Sequence, residues 1–80
     1  MNSAEILAQV AKVAGVVLDN DRLHFDRNTQ ASDVPEWDSL SHIELVVAVE
    51  KHFRIKFTAR EVQAFRNVGE MCDAIERRLA

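Results

Sequence analysis

Eighty residues make one small domain spanning 1–80, too short for a second. An apolar share of 48% against 29% charged excludes a disordered chain, and 2 Gly with 1 Pro exclude a hairpin-rich β-sandwich, whose turns need residues that tolerate positive φ. One Cys rules out an internal disulfide framework, the three His lack zinc-ligand spacing, and a formal charge of −3 is a poor start for gripping nucleic acid.

The chain starts Met1-Asn2-Ser3-Ala4-Glu5, without the cationic segment that precedes the apolar stretch of a signal peptide. No later apolar run approaches the roughly 18–20 residues of a membrane span, so a soluble, cytoplasmic chain is expected. Ile6, Val10, Val13 and Val17, widened by Leu7 and Ala14, mark one face of an amphipathic helix. Asn2 and Glu5 fit a capping pair at its start, and Gly15 offers a left-handed stop. The first helix is therefore expected over about 3–15, with Val16 to Leu18 as a frayed extra turn.

Asp19 to Trp37 reads as a long loop. Asp19-Asn20-Asp21, Asp26-Arg27-Asn28-Thr29 and Ser32-Asp33 are turn chemistry, and Pro35 forbids a helix running through it. Leu23, Phe25, Val34 and Trp37 are spaced as anchors that pin the loop to the helices. Asp38, an N-cap candidate, opens an uninterrupted second helix to Phe53 or Arg54. Ile55-Lys56-Phe57 is a short connector, and Thr58 with Glu61 forms a capping box that opens a short helix carrying Val62 and Phe65. Asn67 with Glu70 repeats that logic for a last helix over about 68–79. Its stripe is Val68, Met71, Ile75 and Leu79, and Arg77 and Arg78 complement its C-terminal dipole. Cys72, beside the stripe, is expected to be a buried thiol. The fold class is all-α, a small irregular four-helix bundle of three main helices and one short one, with a long loop between helices one and two.

The second helix has two apolar faces. At about 100° per residue, His42, Leu45, Val46, Val49 and Phe53 share one side, which must be core. Leu40, Ile43 and Val47 fall on a separate stripe roughly 140° away by the same geometry, among Glu44, Lys51 and Arg54. Either the long loop folds back over this stripe or it meets a partner.

Ser39 stands where the loop meets this helix. A serine there is commonly a cap, but free N–H groups and the helix dipole also favour an anion, such as a phosphodiester on the hydroxyl. Asp38-Ser39-Leu40, followed by Ile43-Glu44-Leu45-Val46-Val47-Ala48-Val49-Glu50 and Phe53, resembles an acyl carrier protein around its prosthetic-group serine. The resemblance continues through Ile55-Lys56-Phe57 and the short helix to Asn67-Val68-Gly69-Glu70-Met71.

It implies that Ser39 is esterified by phosphopantetheine, taken from coenzyme A by a phosphopantetheinyl transferase, and that the arm's thiol holds an acyl group as a thioester. Asp38 and Leu40 match the flanking positions read by the transferase. Leu40, Ile43, Glu44 and Val47 match positions that dock acyl-transferring and acyl-modifying enzymes of fatty-acid, polyketide or related biosynthesis. Ser41, Lys51 and Arg54 depart from the acidic or neutral residues of well-known members, which weakens steering by negative charge. The implied protein is a monomeric carrier, not an enzyme, with no nucleic-acid partner, no metal and no membrane span.

Three rivals remain. A serine hydrolase would pair Ser39 with His42, yet His42 lies on the core face and no Gly-rich elbow supplies an oxyanion hole. A small helical DNA-binding or protein-interaction domain would need a basic recognition helix, and the charges of the second helix nearly cancel. An aminoacyl or peptidyl carrier would share the fold, arm and serine.

Overall fold

A computed structural model describes residues 2–20 and 24–79. Four α-helices occupy most of them: α1 (Ser3–Val17), α2 (Ser39–Phe53), α3 (Ala59–Ala64) and α4 (Val68–Leu79). A single 3-10 turn, Ala31–Asp33, interrupts the long loop between α1 and α2, where the sequence predicts only irregular chain. Among the described residues there is no strand, and no helix is long and apolar enough to cross a membrane.

Helix α1 starts at the Asn2–Glu5 capping box, with the Glu5 N–H donating to Asn2 Oδ1 at 2.9 Å. It runs past Gly15 to Val17, so the expected left-handed stop at Gly15 is not where the helix ends. The extra turn forms because it carries Leu18 into the core, and Asp19, at φ 53°, supplies the left-handed residue instead. Ile6, Val10 and Ala14 bury their face of α1 against α2 and α4. They meet Leu45 and Val49 of α2 and Val68, Met71 and Ile75 of α4 in one continuous core. Each fully buried Ile or Val is worth about 1.5–3 kcal/mol relative to exposure. Leu79, expected on the apolar stripe of α4, is instead 38% exposed, because the helix has passed the end of the core by its last turn.

The long loop is held at both ends. Phe25, Val34 and Trp37 are buried as predicted, with Phe25 stacked on Trp37. Leu23, the fourth expected anchor, lies outside the described residues. The loop also caps α4. The N–H groups of Val68 and Gly69, which have no partner within the helix, donate to the carbonyls of Thr29 and Arg27 at 2.9 and 2.8 Å. Asn67 accepts the Glu70 N–H as expected, but the Glu70 carboxylate takes the N–H of Arg66, one residue early, so the capping pair is offset. Cys72 is buried, and desolvation pushes its thiol pKa up to about 11, as suits an unreactive structural thiol.

The approach of loop to α4 requires glycine at position 69. A Cβ there would lie 2.8 Å from the Arg27 carbonyl oxygen and 3.2 Å from Arg27 Cβ. A helical Gly→Ala change ordinarily gains about 0.5–1 kcal/mol, whereas overpacking against a fixed group costs about 1–3 kcal/mol. Gly69→Ala should therefore lower the melting temperature by several degrees in a circular-dichroism melt, at about 4–8 °C per kcal/mol for a domain of this size. An unchanged or raised melting temperature would show that the loop does not sit tightly on α4.

Candidate functional site

Asp38, Ser39, Leu40 and Ser41 form the entry to α2. Asp38 is the N-cap: its Oδ1 accepts the Ser41 N–H at 2.9 Å. The Ser41 hydroxyl accepts the Asp38 N–H at 2.8 Å and donates to the Glu36 carbonyl at 2.7 Å. The capping role that a helix-entry serine commonly plays therefore falls to Asp38 and Ser41, not to Ser39. Ser39 is exposed, and its hydroxyl takes no part in this network. The Ser41 N–H holds the Asp38 carboxyl below its ordinary pKa.

One turn on, His42 fixes α2 to its surroundings. The Trp37 indole N–H donates to His42 Nδ1 at 3.1 Å, and His42 Nε2 lies 3.1 Å from the Val62 carbonyl of α3. An indole nitrogen only donates and a carbonyl only accepts, so His42 is the neutral tautomer with its proton on Nε2. Both ring nitrogens are committed. His42 has no lone pair to offer Ser39, which removes the serine-hydrolase reading.

Between α2, α3 and the end of the loop lies an open groove of about 890 Å³, lined by Trp37, Ser39, His42, Ile43, Val62 and Phe65 among others. The outer stripe predicted for α2 is uncovered: Leu40 is 69%, Ile43 58% and Val47 41% exposed, with Glu44 exposed among them. The described residues of the long loop do not fold back over it. Among the described residues, no cluster of three or more His, Cys, Asp or Glu is placed to hold a metal. The group that the site suits is one attached covalently to a free hydroxyl at a helix N-terminus, beside an apolar groove.

The sequence located Ser39, Asp38 and the outer stripe, but missed the roles of Ser41 and of the Val62 carbonyl. Ser41 stands three residues after Asp38, a capping-box spacing with hydroxyl and carboxylate exchanged. The backbone acceptor has no residue signature at all.

Known proteins resemble this chain in sequence and in fold. The family described as "Phosphopantetheine attachment site" matches residues 4–75. Fourteen solved chains match, among them the solution NMR structure of holo acyl carrier protein from Geobacter metallireducens. That structure is 38% identical, aligns over 91% of this chain and 84% of its own, and has a TM-score of 0.86. A search of curated proteins gave no match.

The capping carboxylate gives the site a pH dependence of definite sign. Because the folded chain holds the Asp38 proton less tightly than the unfolded chain, this contribution to stability is complete above the ordinary carboxylate range. It drains away as pH falls through the lowered value. Asparagine caps a helix as well as aspartate but does not titrate. Urea unfolding of Asp38→Asn should thus lose less stability than the parent between about pH 5 and about pH 3; equal losses would mean that the carboxylate is not held by α2.

Proposed function

We propose that Ser39 is the attachment residue, from the premise that this chain belongs to the phosphopantetheine-attachment family of acyl carrier proteins. Such a chain is a carrier with a covalent phosphopantetheine group and is not itself an enzyme. When bound, that group supplies a thiol that holds an acyl unit as a thioester. The observation that carries the assignment is the division of labour in the first turn of α2: Ser41 is consumed by the cap, and the exposed Ser39 hydroxyl is left to react.

Each neighbour then has a physical task. The N-terminus of α2 places its positive dipole end at Ser39, where a phosphodiester charge is tolerated. Asp38 and Leu40 flank the hydroxyl and give a phosphopantetheinyl transferase a charge and an exposed apolar knob to read. Leu40, Ile43 and Val47 offer apolar contact to acyl-transferring and acyl-modifying enzymes, and Glu44 offers a charge for a basic patch on them. The enzymes so served belong to fatty-acid, polyketide or related acyl biosynthesis in the cytoplasm. A stripe of three side chains is too small to hold an obligate dimer, which suits a monomer that docks transiently.

Incubation with coenzyme A and a broad-specificity phosphopantetheinyl transferase should add one phosphopantetheine mass, read by intact mass spectrometry, and Ser39→Ala should abolish the addition. Loading that survives the substitution would move the arm elsewhere. Ile43→Asp should cut turnover of the loaded chain by an acyl-modifying enzyme while shifting stability by no more than about 0.5 kcal/mol, as for an ordinary surface change. A large fall in melting temperature would instead make Ile43 part of the core.

A further inference from the structure

On the side of α2 that faces α1 lies a second groove, of about 510 Å³, with a floor of Val13, Val16, Val17 and Ala48. Val16 is 79% exposed, more than any other large apolar side chain among the described residues, and nothing in the carrier site uses it. The rim carries a lysine from each helix, Lys12 on α1 and Lys51 on α2, with His52 beside the latter. His52 also meets Gln9 through Nε2 and Oε1, tying the two walls together at one end. An adjoining groove, which shares Lys51, adds Arg54 and Lys56 beside Val47. All three lysines of the chain therefore line this one surface.

The lysines are not held by ion pairs with the described residues. Among the described residues the ion pairs are Arg27–Asp73 and Arg78–Glu61, so none of the three lysines has a carboxylate within 4.0 Å. Glu50, the one carboxylate lining either groove, is turned to the backbone, where its Oε2 accepts the Phe57 N–H at 2.8 Å. The C-terminal dipole of α2 accounts for a lysine at 51, but not for Lys12 within α1 or for a bare valine beside it. In a chain of net charge −3 this is a local reversal of sign.

We propose that this surface docks an acidic segment of a partner protein, one that places an apolar side chain on Val13 and Val16 with carboxylates toward Lys12 and Lys51. Charge complementarity fixes the sign of the partner, and the valine floor fixes its apolar anchor. A lipid surface fits less well: membrane-seated faces are broad and carry Trp, Phe or Leu, while this is a narrow valine groove on an anionic chain. A second copy would have to bring its acidic Ser39 end to this basic face, a head-to-tail contact that makes rings or filaments and not the self-complementary pair of a symmetric dimer. The partner's being a carrier-dependent enzyme rests on the function proposed above; the charge and shape of the segment do not.

The test uses the full phosphopantetheine-loaded chain and a helical peptide with leucines on one face and glutamates on the other. Its counterpart has lysines in place of the glutamates. Amide shifts on adding the acidic peptide should cluster at Lys12, Val13, Val16, Ala48 and Lys51. The combined Lys12→Glu and Lys51→Glu substitution should weaken binding about tenfold or more, with the lysine peptide failing at this groove. Val16→Ser should weaken the acidic peptide as well. Loading of Ser39, measured by mass, should be unchanged in these variants, so its failure would count against the carrier assignment and not against the groove. The proposal is overturned by shifts that cluster at Leu40 to Glu44, by affinity indifferent to the charge reversal, or by equal binding of both peptides. It is equally overturned if anionic phosphatidylglycerol vesicles, and not the peptide, perturb these residues.

Discussion

The imidazole of His42 is the constraint on which the working end of the molecule depends. One ring accepts from the Trp37 indole and contacts the Val62 carbonyl, so it joins the end of the long loop, α2 and α3. Such bonds contribute about 0.5–1.5 kcal/mol each, but breaking one would leave a half-buried polar group unsatisfied, which costs more. A bundle of this size has a thin core and little to spare. The ring therefore sets the relative position of the groove walls more sharply than apolar packing could. Phe25 and Trp37 stack behind it, so the loop is ordered by a chain of aromatic contacts ending at the helix that carries Ser39.

The same loop is anchored at its other end chiefly by backbone. The carbonyls of Arg27 and Thr29 take the first free N–H groups of α4, and Gly69 lets them come close. The Arg27–Asp73 ion pair adds little, being nearly half exposed on both sides, where solvent screens it. Geometry, not charge, holds the loop down. Its far end is thereby left free to present Trp37 to His42.

Much of this was legible from residue patterns, and the exceptions share a cause. The capping signals at Asn2, Asp38 and Thr58 each lie within four residues of their partners, so local spacing reveals them. The two faces of α2 follow from helical periodicity, and the side chains on each are buried or exposed accordingly. Gly15 misled because Asp19, of a residue type that tolerates the left-handed region better than most, can end the helix four residues later. Here burial of Leu18 outweighs the local preference, and Asp19 bears the positive φ. What stayed hidden were contacts to backbone atoms far along the chain, such as Val62 O from His42 and Arg27 O from Gly69, because a carbonyl is the same in every residue.

The placement of charge along α2 extends that point from folding to function. Near its start stand Glu36, Asp38 and Glu44; toward its end stand Lys51, His52 and Arg54. This order supports the helix, since acids near the N-terminus and bases near the C-terminus are what the dipole favours. A surface polarised in this way meets any partner in a preferred orientation, because reversing the complex sets like charges against each other. Exposed charges lose their reach beyond about 8–10 Å at physiological salt, so the ordering acts only once the surfaces are close. In the docking proposed above, it would select the register in which Ser39 arrives and leave the affinity to the apolar side chains between the two charged ends.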